Sequence, residues 1–324
     1  MATRTLDSPP SILSLYARAA LPLIPGASLL PFVPGGGKEI PETELELQGV
    51  RPDPDAVAAF AKVCGFPLRD TLPPTYPHVL AFPLHMATMA DGSFPFGAVG
   101  LVHVENRIVQ RRPIGVGEEL KLVVRPTPLQ PHKRGQTFAL LTKASAGGET
   151  VWESTSTFLH RGPSPTAVEV KTAMRSKPLR RGDGADAMDA SDREDGLRAS
   201  ATWRLGGDLG RRYAAVSGDR NPIHMHSLTA KPLGFPCAIA HGMWTKARCL
   251  AALGGRVPDA FTVEVYFRKP IRLPGKVEYL SDAGSDEIDF AVRDAKRHTP
   301  HLDGRLAPLE PKASRKQTTG RNSK

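Results

Sequence analysis

The stretch AIAHGMWTKARCLAALGG, residues 238–255, decides the fold of this chain. Ile239, Met243, Ala247, Leu250 and Leu253 recur at helical spacing, and Gly254 with Gly255 ends the run. No face of this helix is strongly polar, so it must be enclosed rather than laid on a surface. The segments C-terminal to it can enclose it. FTVEVYFRKPIRLPGKVEYLS (261–281) reads as two alternating strands joined through Pro and Gly, and KVEYLSDAGSDEIDFAVRDA (276–295) reads as a hairpin with a Gly-containing turn. The expected unit is α+β: one long helix wrapped by an antiparallel sheet.

The front of the chain echoes this order. LVHVENRIVQRRPIGVGEELKLVV (101–124) gives strand, Pro and Gly, strand, and FALLTKASAGGETVWESTSTFLH (138–160) ends as a hairpin to match the one behind. A shorter helical run, LAFPLHMATMADG, precedes both and closes at Asp91 and Gly92. Two shared patterns in one order indicate a duplicated unit. Between the copies, residues 163–196 are charged, rich in Gly, Pro, Ala and Ser, and lack an apolar period, which reads as a linker. The expected layout is an N-terminal arm (1–37), a front unit (38–162), the linker (163–196), a back unit (197–307) and a basic, disordered tail (308–324).

Composition narrows the function. The 324 residues suffice for two cores, and 40% apolar residues suffice to fill them. Cys64, Cys237 and Cys249 are odd in number and carry no metal-ligand spacing, as in a reducing, cytoplasmic setting. No apolar run is long enough to span a membrane; SILSLYARAALPLIPGASLLPFVP (11–34) is interrupted by Arg18, Gly26 and several prolines, and reads as a helix and arm docked on the body. The net charge of +10 suits phosphate-bearing groups or an acidic carrier protein. Neither a nucleic-acid module nor an aromatic-studded basic stripe accompanies it, so no nucleic-acid partner is expected.

The chemistry concentrates in YAAVSGDRNPIHMHS, residues 213–227. Asn221 followed by Pro222 starts a helix, Asn as cap and Pro at the first position. Asp219 then lies in the preceding loop, behind flexible Gly218, and His224 in the first turn. The positive helix end disfavours an imidazolium, so His224 is expected to be neutral and able to take a proton. An acid and a base aimed at one point hold and split a water molecule. The bland alternative is equally written in these residues: Asp-x-Asn-Pro is ordinary loop-to-helix chemistry, Asn221 can be a cap and nothing more, and His226 reads as structural. A few residues on, Gly242 falls in the first turn of the long helix, where backbone N–H groups have no intrahelical partner and no side chain blocks approach. Such a group can hold an oxyanion. His241 beside it reads as a buried, hydrogen-bonded residue.

Taken together, YAAVSGDRNPIH and GFPCAIAHGM closely resemble the signature of the MaoC-like, or R-specific enoyl-thioester hydratase, family. The layout is similar to its two-hot-dog, actinobacterial 3-hydroxyacyl-thioester dehydratases, over nearly all of residues 38–305. The resemblance implies a double hot-dog fold and carries the catalytic pair to Asp219 and His224, with Asn221 beside them and the oxyanion N–H at Gly242. The front half lacks Asp-x-Asn-Pro-x-His, which implies a silent unit that shapes the acyl pocket. It also implies coenzyme A or acyl-carrier-protein thioesters as substrates, no separate cofactor or metal, no membrane insertion, and a monomer or homodimer of fused units. Two rivals stay open at this level: an acyl-thioester-binding subunit without activity, and a thioesterase. Against the second, hot-dog thioesterases generally carry a carboxylate on the long helix, and IAHGMWTKARCLAAL offers none.

Overall fold

The computed structural model describes residues 2–20, 37, 39–98, 100–162, 196–282 and 286–309. The expected linker (163–196) and tail (308–324) fall almost wholly outside these residues. Among the described residues, twelve strands form a single sheet. The front half contributes β1 (Ala2–Leu6), β2 (Thr43–Val50), β3 (Val102–Gln110), β4 (Leu120–Pro126), β5 (Gln130–His132), β6 (Gly135–Ala146) and β7 (Glu149–Arg161). The back half contributes β8 (Arg198–Leu205), β9 (Phe261–Phe267), β10 (Gly275–Ser281), β11 (Ile288–Asp294) and β12 (Pro300–Pro308).

Their order is β1-β2-β4-β6-β7-β3-β9-β12-β11-β10-β8, with β5 paired to β6. From the β3–β9 seam outward, the front runs β3, β7, β6, β4, β2 and the back runs β9, β12, β11, β10, β8. The two halves therefore repeat one topology about the seam. Across it the strands are antiparallel, from Glu105 opposite Tyr266 to Gln110 opposite Phe261. This is the double hot-dog expected from sequence, with one refinement. The hairpins at 138–160 and 276–295 are not counterparts: the first is β6–β7, which matches β11–β12, whereas the second is β10–β11, which matches β4–β6. The short β5, inserted before β6, hides the true match because it breaks up the β4–β6 connection.

Each sheet half wraps a helix. In front, α1 (Ile12–Ala20), α2 (Pro54–Cys64) and α3 (Tyr76–Met89) precede β3; behind, α4 (Leu209–Ser217), the single-turn α5 (Pro222–Met225) and α6 (Ser227–Ala230), and α7 (Gly242–Leu253) precede β9. The helix α7 starts at Gly242, a few residues later than its apolar period begins, because Ile239 forms a β-bridge with Arg272 instead. Its counterpart α3 is longer than the sequence suggests, beginning at Tyr76 with Pro77 in the first turn and continuing through Pro83. Both are enclosed: Ala81, Leu84, Ala247, Cys249 and Leu250 are almost completely buried. Two tryptophans tie the layers, Trp152 Nε1 donating to Pro74 O at 2.8 Å and Trp244 Nε1 to Val63 O at 3.1 Å.

The N-terminal arm docks on the body. Strand β1 adds in parallel to β2, and α1 buries Leu15 and Ala19. No described helix is long and apolar enough to cross a membrane.

Candidate active site

The segment 218–242 hangs from the C-terminus of α4, where Gly218 takes the left-handed conformation (φ 76°) that lets the chain reverse. Asn221 caps α5, its side-chain oxygen accepting from Ile223 N at 3.4 Å. Its backbone N–H has a second use, donating to Asp219 Oδ1 at 3.1 Å. The carboxylate of Asp219 is thus held from the main chain. In its described bonds the Asn221 side chain makes this cap and does not reach the Asp219 carboxylate or the His224 ring.

His224 is buried at 8% exposure, and its Nδ1 lies 2.8 Å from Ile239 O. A carbonyl only accepts, so Nδ1 carries the proton and Nε2 of the neutral ring is the free acceptor. Burial holds the ring below its usual pKa, against the pull of Asp219. The expected neutrality is present for this reason; α5 is a single turn, too short to supply much dipole. His241, 3% exposed, stacks on His224 with centroids 3.7 Å apart and has its Nε2 3.0 Å from Asp219 O. It braces both members of the pair. Its own pKa is pulled down to about 3, by burial first and then by His224. The ring of Tyr213 packs against it with centroids 4.8 Å apart.

Asp219 retains 28% side-chain exposure and lines the cavity. Burial pushes its carboxyl up, but His241 and His224, the Asn221 N–H and the hydroxyl of Tyr16 outweigh this and hold it below the usual carboxylate value. Tyr16 is the unexpected member. From α1, 203 residues away, its hydroxyl donates to Asp219 Oδ1 at 2.9 Å and accepts from Arg220 N at 2.8 Å. Nothing in the local sequence of the arm marks it, because its partner is set by tertiary docking. Gly210 was equally silent: a Cβ there would sit 1.9 Å from His224 O, so α4 meets α5 at this position only through glycine.

Gly242 opens α7, where its N–H has no intrahelical acceptor, and a Cβ would meet the Phe267 ring at 3.0 Å. The same cavity is lined by Asp219, His224 and Gly242 and extends over the front half through Phe82, Met86 and Phe158. One donor atom each of Asp219, His224 and His241 lies within 4.8 Å of the others, a spacing that also invites a cation. His241 Nε2 faces a carbonyl, as does His224 Nδ1; His241 Nδ1 is buried without a partner among the described residues, and His224 Nε2 and Asp219 Oδ2 are acceptors that can hold a water between them.

Residues 195–286 match the MaoC-like domain. Over 300 residues, 93% of this chain and 99% of the relative, the sequence is 36% identical to 3-hydroxyacyl-thioester dehydratase X of Mycobacterium tuberculosis. This chain belongs to the MaoC-like dehydratase family. The crystal structure of HtdX from M. tuberculosis superposes with a TM-score of 0.69 at 34% identity, covering 82% of this chain and all of that one. A MaoC-like dehydratase from Phytophthora capsici, at 18% identity and TM-score 0.63 over 85% of this chain and 98% of its own, shares the fold. A shorter match, 39% identical over 70 residues, 20% of this chain and 45% of the relative, is to 3-hydroxybutyryl-CoA dehydratase of Methylorubrum extorquens.

Proposed function

We propose that this MaoC-like protein interconverts trans-2-enoyl and (R)-3-hydroxyacyl thioesters of coenzyme A or an acyl carrier protein by adding and removing water. The carrying observation is the pair of free acceptors, His224 Nε2 and Asp219 Oδ2, beside a helix N-terminus that opens with Gly242. A water seated between them donates one hydrogen to each and turns a lone pair toward C3 of the enoyl chain. As the C3–O bond forms, the water proton passes to His224 Nε2, and the C2=C3 electron pair moves toward the thioester carbonyl. The resulting enolate oxygen is held by the Gly242 N–H. A proton then returns to C2 from the same side, which restores the carbonyl and the starting charges. Dehydration is the reverse. The chemistry requires no metal or separate cofactor, because the thioester itself polarises the alkene. An acid/base pair of this kind contributes about two to four powers of ten in rate.

The cavity supports a preference for medium or long chains. Phe82, Met86, Met89, Leu101 and Phe158 of the front half line it, offering an acyl chain a wall where a second motif would otherwise stand. Arg161, Arg268 and Lys269 line it as well and suit the phosphates of either carrier. The test is hydration of crotonyl and trans-2-decenoyl coenzyme A, followed by loss of enoyl absorbance, with chiral analysis of the product. The (R) alcohol with faster turnover of the longer chain is the expected result. An (S) product would overturn the stereochemical assignment, a rate peak at four carbons the chain-length reading, and hydrolysis to free coenzyme A the reaction class.

A further inference from the structure

The front half places three histidines on the wall of the same cavity: His78 and His85 on α3 and His103 on β3. Their rings form one cluster, His78 to His85 at 4.9 Å and His78 to His103 at 6.3 Å and nearly parallel. His85 is satisfied, its Nε2 lying 2.8 Å from Thr142 Oγ1. Of the other two, His103 bonds the backbone of Glu105 through one nitrogen, and each keeps one nitrogen without a partner. His78 is 7% exposed, and its Nδ1 is a buried atom without a hydrogen-bond partner among the described residues; the same holds for His103 Nε2. Aromatic rings complete the surroundings, with Phe158 at 4.6 Å and Phe267 at 5.0 Å from His103.

A wall built only to sheathe an alkyl chain has no use for these nitrogens. Burying an unpaired polar atom is costly, and an apolar side chain would fill the same volume without that cost. The nitrogens are therefore suited to a partner that arrives with the substrate. We infer that His78 and His103 form a subsite for a neutral oxygen, a hydroxyl or a keto group, carried on the acyl chain beyond the reacting carbons. This rests on the reading of the cavity as an acyl-thioester site and adds the substrate class: oxygenated acyl chains.

The environment selects against charged groups. Burial pulls His78 down to about 4 and His103 down to about 3, so neither ring is an imidazolium that would attract a carboxylate. The surrounding Phe158 and Phe267 are equally poor neighbours for an anion. A hydroxyl can donate to the bare Nε2 of His103, whose other nitrogen serves the Glu105 backbone, and a hydroxyl or a ketone can accept from a protonated Nδ1 of His78.

The experiment measures binding, so that it does not depend on turnover. Calorimetric Kd values are compared for decanoyl coenzyme A, which has no alkene to hydrate, and for its analogues bearing one hydroxyl or one keto group at each position from C5 to C9. In the wild-type protein at least one oxygenated isomer is expected to bind about tenfold tighter than the plain chain, as one additional buried hydrogen bond allows. In His78→Leu and His103→Leu that ratio is expected to fall to about one; because it is taken within each protein, a general loss of affinity cancels. Equal or weaker binding of every oxygenated isomer by the wild type overturns the inference, as does a ratio that survives both substitutions. The wild-type series alone is decisive if a variant fails to fold. Failure of every thioester to bind would remove the acyl-site reading along with it. Selective binding of an oxygenated chain without hydration of trans-2-decenoyl coenzyme A would instead remove the catalytic reading and leave the subsite standing.

Discussion

At the scale of single residues, the side chains of the site are set by the hydrogen bonds they already make. His224 presents a bare Nε2 because Ile239 O occupies its other nitrogen, and Asp219 is an acceptor because a tyrosine and a backbone amide already stabilise its charge. Tyr16→Phe tests the second half of this. Loss of a hydrogen bond to a charged group, worth about 1.5–3 kcal/mol, is expected to lower kcat/KM roughly tenfold to a hundredfold. The sign of the pH effect comes from the same bond: the hydroxyl helps hold the Asp219 carboxyl below its usual value, so removing it raises that pKa and moves the acidic limb of the rate profile to higher pH. An unmoved limb with an unchanged rate would show that Tyr16 merely packs. Sequence made Asp219, Asn221, His224 and Gly242 legible because they sit within one loop-and-helix phrase, each beside its local cause. Tyr16, Gly210 and the cavity-lining His78 and His103 are not legible, since the partner that gives each its meaning lies in another element.

At the scale of elements, α7 carries one residue at odds with its apolar surroundings. Lys246 is completely buried, yet its ammonium meets three oxygens: Asn106 Oδ1 at 2.6 Å, Asn106 O at 3.0 Å and Val263 O at 3.2 Å. Asn106 in turn donates from Nδ2 to Ser154 Oγ and Ser156 Oγ. The helix is thereby fastened to β3 and β9 at the seam, and to β7 through the asparagine. Burial pulls Lys246 well below its usual pKa, while Glu264 opposes this. Replacing it with methionine keeps most of the volume and leaves these oxygens without their donor; a loss of about 3 kcal/mol in denaturant-measured stability is expected. A neutral or stabilising outcome would mean that the buried charge costs as much as its bonds return. The helix itself is predictable from its period, but the burial of Lys246 within it is not, because only the wrapping of both half-sheets shows what faces it. The helices α2 and α4 escaped the sequence reading although α2 carries ordinary signals, Asp53 as cap, Pro54 in the first turn and Gly65 beyond the end.

At the scale of the whole molecule, the two halves depend on one another through the β3–β9 seam and a shared cavity. The antiparallel seam is reinforced by Arg107 and Glu264, 2.7 Å apart on facing strands. Residues 197–309 produced alone would keep Asp219 and His224 but lose Tyr16, the partner of β9 and the front wall of the cavity. An uncovered edge strand pairs with whatever it meets. This fragment is therefore expected to self-associate in light scattering and to be without activity on trans-2-decenoyl coenzyme A; a soluble, active monomer would show that the front half is dispensable. The duplicated architecture was legible from the repeated strand order, whereas the correct pairing of hairpins required the topology, because antiparallel pairs with glycine turns look alike in sequence.

The central claim is that Asp219 and His224 act together on one water. The most direct test is the rate of hydration of trans-2-decenoyl coenzyme A by the wild type, Asp219→Asn, His224→Ala and the double variant. Each single change is expected to reduce kcat by about two to four powers of ten with the fold intact, and the double change to cost little more than either. Single variants that retain near wild-type turnover, or losses that simply multiply in the double variant, would contradict it.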